Sequence, residues 1–448
     1  MPRSSTTKRA PGAPGAGMEG EERMTTALTK TAARRKEMSV LRELGREIAG
    51  IAALPAQKET IAAWKALNGL KPARPMVVVG TTMDHVPWNE IDVEGELRLR
   101  TKDPFHQSIE RDLRRTLYTW KHMRGDMVVE PYVSIPKVIR GVEENLGLDA
   151  VEERAVTDAE NRVVGHHYHD QFPHEKDLER IRTPEVALDE TATARAEERA
   201  REIFDGVIAV RMTGHFPRFT AWDRIAEWRG AQTVLTDLAV RPDFMHALMG
   251  RVTQAYLARL DQLERLGLLG HGQGTIKNSG AWTDELPAPG FDASRPRAVD
   301  IWSTGMAQVF ASASPAMHRE FELDYAVKWY ERFGLVYYGC CEPLHDRIGE
   351  VARIPHLRKI SMSPWVDQER GAEAIGNRFV FSRKPNPAYL AGDAWDPDRV
   401  RRDLQATVEI CARRGCPLEF IIQDISTVRH EPRRLWEWVE IAMGIAAA

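Results

Sequence analysis

Short apolar runs separated by stretches of helical periodicity set the pattern of this chain. The runs are Met127–Val133, Val207–Met212, Gly267–His271, Val299–Ser303, Leu335–Cys340, Lys359–Ser363, Arg378–Ser382 and Glu419–Ile425. Between most of them the apolar positions recur at helical spacing, as in Pro242–Leu266, Ser314–Phe333 and Asp396–Arg414. Runs this short read as buried strands, and parallel strands need crossovers of about a dozen residues or more, usually helices. The eight units predict an α/β fold, a closed (β/α)8 or TIM barrel.

Two segments depart from that rhythm. Residues Thr26–Leu67 carry helix formers at helical spacing, and Pro72 with Pro75 stops them before the apolar run Met76–Gly80, which predicts an N-terminal helical extension leading into a strand. Residues 1–24 read as a disordered tail with Met18 or Met24 as alternative starts, and 25–448 as one barrel domain. The stretch Leu146–Thr193 interrupts the alternation after the first barrel strand. Within it VVGHHYHDQF alternates like a two-stranded excursion, and EKDLERIRTPEVALDETAT is charged and helix-like. An insertion here is expected to cover the barrel mouth or dock a partner.

Composition narrows the class. With 448 residues, 43% hydrophobic and 28% charged, the chain can bury a large core. A formal charge of -3 supplies no basic surplus for a polyanion, so nucleic acid is not an expected partner. Apolar runs fall short of the roughly 18 residues a membrane span needs, and the start has no apolar core for export, so no membrane partner is expected. Four cysteines, at 340, 341, 411 and 416, make no disulfide framework and point to a reducing cytoplasm. No phosphate-binding glycine loop and no serine nucleophile elbow occurs.

In such a barrel the functional groups sit at the carboxyl ends of the strands. Read that way, the strand ends are Glu130, His215, His271, Trp302, Cys340–Cys341–Glu342, Ser363–Pro364–Trp365, Ser382–Arg383–Lys384 and Asp424–Ile425–Ser426. Glu130, His271, Glu342 and Asp424 are the candidate catalytic groups. His215, Trp302, Gln308, Trp365, Arg383 and Lys384 are the candidate substrate contacts, with Arg383 and Lys384 gripping an anionic group. Alternation along a strand predicts that one of Cys340 and Cys341 faces the barrel mouth and the other the helical layer, with Tyr338 on the face of Cys340. His167 and His169 share a strand face at ligand spacing but read as a wet surface, and Cys411 and Cys416, ahead of the last strand, read as structural.

The segments LGLLGHGQGT, VDIWSTGMAQVFASASPAMHREFELDYAVKW, LVYYGCCEPL and FIIQDISTVRHEPRRLWEWVEIA, in this order, resemble the uroporphyrinogen decarboxylase superfamily. The likeness runs from about Met76 to the C-terminus and is most specific at Ser312–Phe321 and at the Cys340 turn. That superfamily joins the decarboxylase, corrinoid-linked methyltransferases and the cobalamin-independent methionine synthase domain. The decarboxylase carries an arginine-bearing RQAGRY-like segment that holds substrate carboxylates; here the place reads VGTTMDHVPWNEI, without arginine from Gly80 to Glu96. Glu130 in VVEPYVSIP matches the decarboxylase's catalytic aspartate. The methyltransferases hold zinc through a His-x-Cys pair and a later Cys; here those places are Tyr338–Gly339–Cys340 and Asp424.

The resemblance implies a cytoplasmic methyltransferase that moves a methyl group from a small methylated substrate to a corrinoid carried by a partner protein, since no DxHxxG-like cobalamin segment is present. Zinc on Cys340 and Cys341 is the metal it implies, and a homodimer is compatible with it. Decarboxylation of a small or tetrapyrrole acid is the competing activity, and a non-catalytic binding barrel the competing class.

Overall fold

A computed structural model describes residues 16–81, 85–155 and 165–448, with only the main chain considered for 16–31. Residues 1–15 of the expected tail, and parts of the VGTTMDHV and VVGHHYHDQF segments, lie outside the described residues. Helix α1, Ala16–Ala52, begins inside the stretch read as tail, and α2, Pro55–Asn68, follows with proline in its first turn.

The longer strands are β1 (Met76–Val79), β2 (Tyr132–Pro136), β3 (Ala209–Thr213), β4 (Trp302–Gly305), β5 (Leu335–Tyr338), β6 (Leu357–Met362), β7 (Val380–Arg383) and β8 (Leu418–Ile422). All their pairings are parallel. One sheet has the order β1–β8–β7–β6–β5–β4, and β2 pairs with β3 separately. Between these two sets the ladders are thin. Single parallel bridges link His215 with Leu269 and Phe219 with Gly305, and the Asp126 amide donates to the Val77 carbonyl at 2.6 Å. The result is a mixed α/β fold with a six-stranded parallel sheet and a detached parallel pair, rather than the continuous eight-stranded ring that the pattern predicts.

Three details of the strand reading change. The run Gly267–His271, read as a strand, carries only the single bridge at Leu269. Strand β1, read as a lead-in, is hydrogen-bonded along its length to β8. Strand β2 starts at Tyr132, so Glu130 stands just before it instead of at its end. A bury-everything pattern along β1, β5, β7 and β8 fits strands covered on both faces.

Helices α3 (Pro104–His122), α4 (Glu190–Phe204), α5 (Ala221–Arg229), α6 (Pro242–Arg265), α7 (Asp324–Tyr330), α8 (Gln368–Ile375), α9 (Pro397–Arg414) and α10 (Arg433–Ala447) pack around the strands. Asp103, Asp189, Asp367 and Asp396 cap α3, α4, α8 and α9, each accepting a main-chain amide of the first turn. The insertion leans on this layer. Phe172, Leu178, Ile181 and Val186 join the principal hydrophobic core, and Asp170 takes a two-pronged ion pair from the buried Arg229 at 2.8 and 2.9 Å. Within the insertion, Glu152–Arg154 pairs antiparallel with His166–Tyr168, the excursion expected from the alternation. Among the described residues no helix is long and apolar enough to cross a membrane.

Candidate active site

A cavity of about 1330 Å³ opens among the carboxyl-side loops of the strands. Its wall takes Glu130 and Tyr132 from the entry to β2, Arg211 and Thr213 from β3, and Trp302 and Thr304 from β4. The first turn of α5 adds Asp223, and the segments after the strands add His271, Lys277, Gln308, Cys340, Cys341 and Asp424. Glu144 and Tyr168 reach it from the insertion side. Among the sequence candidates, Glu130, His271, Trp302, Gln308, both cysteines and Asp424 therefore share one chamber.

The others stand elsewhere. Glu342 is buried behind the wall, accepting the Cys340 amide at 2.9 Å and the Ala307 amide at 3.4 Å, so it holds the thiol turn in place. Arg383 is buried and spends its guanidinium on the carbonyls of Ser363 and Lys384. Lys384 is buried on the Tyr337 and Ser361 hydroxyls, both at 2.7 Å. Neither cation lines the cavity: Arg383 turns to the helical layer, 3.9 Å from Asp403 of α9, whereas Lys384 is buried among the strands, where its charge acts on Cys340 and Asp424. Trp365 is 67% exposed and lies outside the lining, and so does His215, whose main chain bridges Leu269. Burial and the charge of Arg259 push the His215 imidazole down to about 4.

Cys340 and Cys341 both line the cavity, contrary to the alternation rule. The reason is local: β5 ends at Tyr338, and Gly339 takes φ +96°, a conformation open to glycine, so the thiols sit on a turn. Their sulfurs are 3.6 Å apart. Tyr338, expected on the side of Cys340, is instead buried against His318 at 2.7 Å and Glu322 at 3.1 Å. The hydrogen-bonding contact with Cys341 holds the Cys340 thiol below the usual thiol range, against burial and with help from Lys277 and Lys384. The same contact, and then burial, push Cys341 upward.

Asp424 completes this corner. It keeps φ +57°, uncommon for an aspartate, and its carboxylate takes His85 Nδ1 at 2.6 Å, Gln423 Nε2 at 3.0 Å and Cys341 Sγ at 3.7 Å. Burial works to raise its carboxyl, but the His85 hydrogen bond and charge outweigh that and hold it below the ordinary range. Lys277, at the tip of the Thr275–Ile276 and Ser279–Gly280 hairpin, reaches the Gly339 carbonyl and lies 3.7 Å from Met306 Sδ.

A second corner gathers Glu130, Tyr132, Arg211 and His271. Arg211 donates to His271 Nδ1 and to the His271 carbonyl, both at 2.9 Å, and stacks over Tyr132. Burial raises the Glu130 carboxyl, with Arg211 opposing. Burial, then Arg211, lowers the His271 imidazole. Nearby on the wall, Gln308 donates to Asp223 at 3.2 Å, and burial with the charge of Glu342 pushes Asp223 up to about 6. Arg211, Lys277, His85 and Asp223 escape the strand-end reading; a basic residue inside the otherwise apolar run VIAVRMT was the available signal for Arg211.

The donor set does not fit a completed zinc centre. Two thiolates on one zinc, at about 2.3 Å each, would stand close to the observed sulfur separation. Yet among the described residues no group of three or more His, Cys, Asp and Glu side chains is placed to hold a metal ion. His166 and His169 are engaged with Glu152 and Glu153 on the exposed hairpin, and Cys411 and Cys416 are buried in the core.

No family model matches the chain. No curated protein matches it. Among solved structures, a methyltransferase from Methanosarcina mazei aligns with 86% of this chain and 96% of its own length, at 15% identity and a TM-score of 0.48. What this chain does has to be read from its own residues.

Proposed function

We propose that this chain is an enzyme that takes a methyl group from a small methylated substrate bound in the cavity, on an interrupted (β/α)8-type barrel. The observation that carries this reading is a single chamber holding soft nucleophiles at Cys340 and Cys341, a half-buried carboxyl at Glu130, and the cations Arg211 and Lys277. In the transfer, the bond from methyl carbon to its heteroatom breaks with the pair staying on the heteroatom, and the acceptor's pair forms the new bond. Glu130, whose carboxyl burial raises above the ordinary range, supplies the proton that the departing heteroatom needs. Arg211 orients an anionic part of the substrate, the role that Arg383 and Lys384 were expected to fill. The acceptor is a corrinoid on a partner protein, as the family resemblance implies.

One observation favours decarboxylation as the second reading. A carboxyl raised by burial and set beside an arginine is also what a carbanion-protonating acid next to a carboxylate anchor looks like. Assaying purified protein over a panel of methylated donors with a corrinoid protein, and over small carboxylic acids for carbon dioxide release, separates the two. Methylated corrinoid is the expected product, and Glu130→Gln should lower its rate by roughly 10²–10⁴-fold. Carbon dioxide release without methyl transfer would overturn the first reading, and an unchanged rate in Glu130→Gln would remove the assigned acid.

A further inference from the structure

Cys340 and Cys341 form a two-thiol face inside a roomy chamber, and methyl transfer to a corrinoid does not by itself account for two. Both line the cavity, with sulfurs 3.6 Å apart on a turn fixed by three features: Gly339 at φ +96°, the Cys340 amide held by Glu342, and the Cys340 carbonyl accepting Ser361 Oγ at 2.7 Å. A fixed pair of adjacent thiols that, among the described residues, belongs to no group of three or more donors placed to hold a metal ion suits an element that takes two sulfurs from the protein and keeps its other valence for itself. Zinc wants four donors. A linear two-coordinate soft ion such as mercury(II) wants its sulfurs on opposite sides, farther apart than neighbouring turn residues hold them. Trivalent arsenic is thiophilic and pyramidal, bonding two sulfurs at roughly a right angle.

We propose that Cys340 and Cys341 are a chelating site for monosubstituted trivalent arsenicals, R–As(OH)2, with the organic arm R in the cavity. Two S–As bonds form and two As–O bonds break; the two thiol protons leave with the two hydroxides as water, and no oxidation state changes. Asp424, 3.7 Å from Cys341 Sγ, and Lys277, on the Gly339 carbonyl, flank the exchange as proton acceptor and cation. The apolar side of the chamber receives R. Gly305 pairs with Tyr338, so Met306 follows directly beside the thiol turn, and Trp302 and Ala281 share the same lining. This site stands apart from the methyl-transfer reading, because it is defined by binding and not by turnover.

The experiment titrates the full-length reduced protein with phenylarsine oxide and with inorganic arsenite, counting free thiols, measuring intact mass and mapping the adduct by peptide fragmentation. One arsenical should consume two thiols, both on the peptide carrying Cys340 and Cys341, and a small 1,2-dithiol should reverse it where a monothiol does not. Cys340→Ser and Cys341→Ser should each weaken binding roughly 10²–10⁴-fold, since the second S–As bond is then lost as an intramolecular step. The phenyl arsenical should bind about tenfold tighter than arsenite, or better, through burial of its ring. An adduct on Cys411 and Cys416, one thiol consumed per arsenic, or single variants that bind as tightly would each overturn the site. Equal affinity for the two probes would overturn the placement of R. None of these readouts depends on methyl transfer, so a failed transfer assay and a failed chelation are told apart.

Discussion

Gly339 shows how a single residue can defeat a correct general rule. Alternation along LVYYGCC sends neighbouring side chains to opposite faces only while the chain remains a strand, and a left-handed glycine ends the strand one residue before the thiols. The two cysteines still differ, but through their proton affinities and not their faces. The contact between the two thiols, with the charge of Lys277 added, lowers Cys340, while the same contact and burial raise Cys341. A depressed thiol keeps its reactive anion to lower pH, so iodoacetamide at mildly acidic pH should label Cys340 well ahead of Cys341, as read by peptide mapping. Preferential labelling of Cys341 would reverse this order of the two thiols. Glu130, His271 and Asp424 were legible because a polar residue ending an apolar run stands out. Lys277 was not: it lies on a hairpin turn whose approach to Gly339 depends on β5, more than fifty positions later, and nothing local announces it.

At the scale of elements, periodicity located the helices and most of the strands, because 3.6-residue and short buried patterns are local properties of the chain. It placed α6 and α9 within a residue or two and anticipated the two-stranded excursion. It could not see that β1 pairs with β8, a contact between opposite ends of the chain. Nor could it weigh the insertion, expected to be an accessory removable from Glu152 to Asp189. Phe172, Leu178, Ile181 and Val186 are all buried in the main core, and Asp170 neutralises the buried Arg229. Losing one large buried side chain costs about 2–5 kcal/mol, and the whole folding free energy is about 5–15 kcal/mol. Removing all four together with one of the two carboxylates that pair with a buried guanidinium should therefore abolish the cooperative thermal transition. A shorter deletion, Glu152 to Tyr168, takes mostly exposed side chains among its described residues and should leave that transition in place, with Tyr168 lost from the cavity wall. Calorimetry of the two deletions decides it, and comparable melts would show that the insertion contributes nothing to the core.

For the whole molecule, the point of interest is where the parallel ladder is thin. The β2–β3 pair joins its neighbours through single bridges and isolated main-chain hydrogen bonds, while β1 and β4 to β8 form one continuous sheet. The apolar side chains divide at the same borders. Leu41, Leu44 and Ile48 of α1, Ile109 and Leu113 of α3, Val133 and Ile135 of β2, and Ile203 and Phe204 of α4 form a cluster of their own, apart from the core beneath the larger sheet. Cooperative units follow contiguous packing and hydrogen bonding, so this block should open as a unit at a lower free energy than the six-stranded sheet. The cavity spans both, drawing Tyr132 and Arg211 from the block and Cys340 and Asp424 from the sheet side, so such an opening separates the acid corner from the thiol corner before the protein unfolds. Native-state hydrogen exchange in low denaturant tests this. The amides of β2 and β3 should converge on one opening free energy, below that shared by β5 to β8. Equal protection of the two sets would mean that the bridges at His215 and Phe219 couple them as firmly as a full ladder.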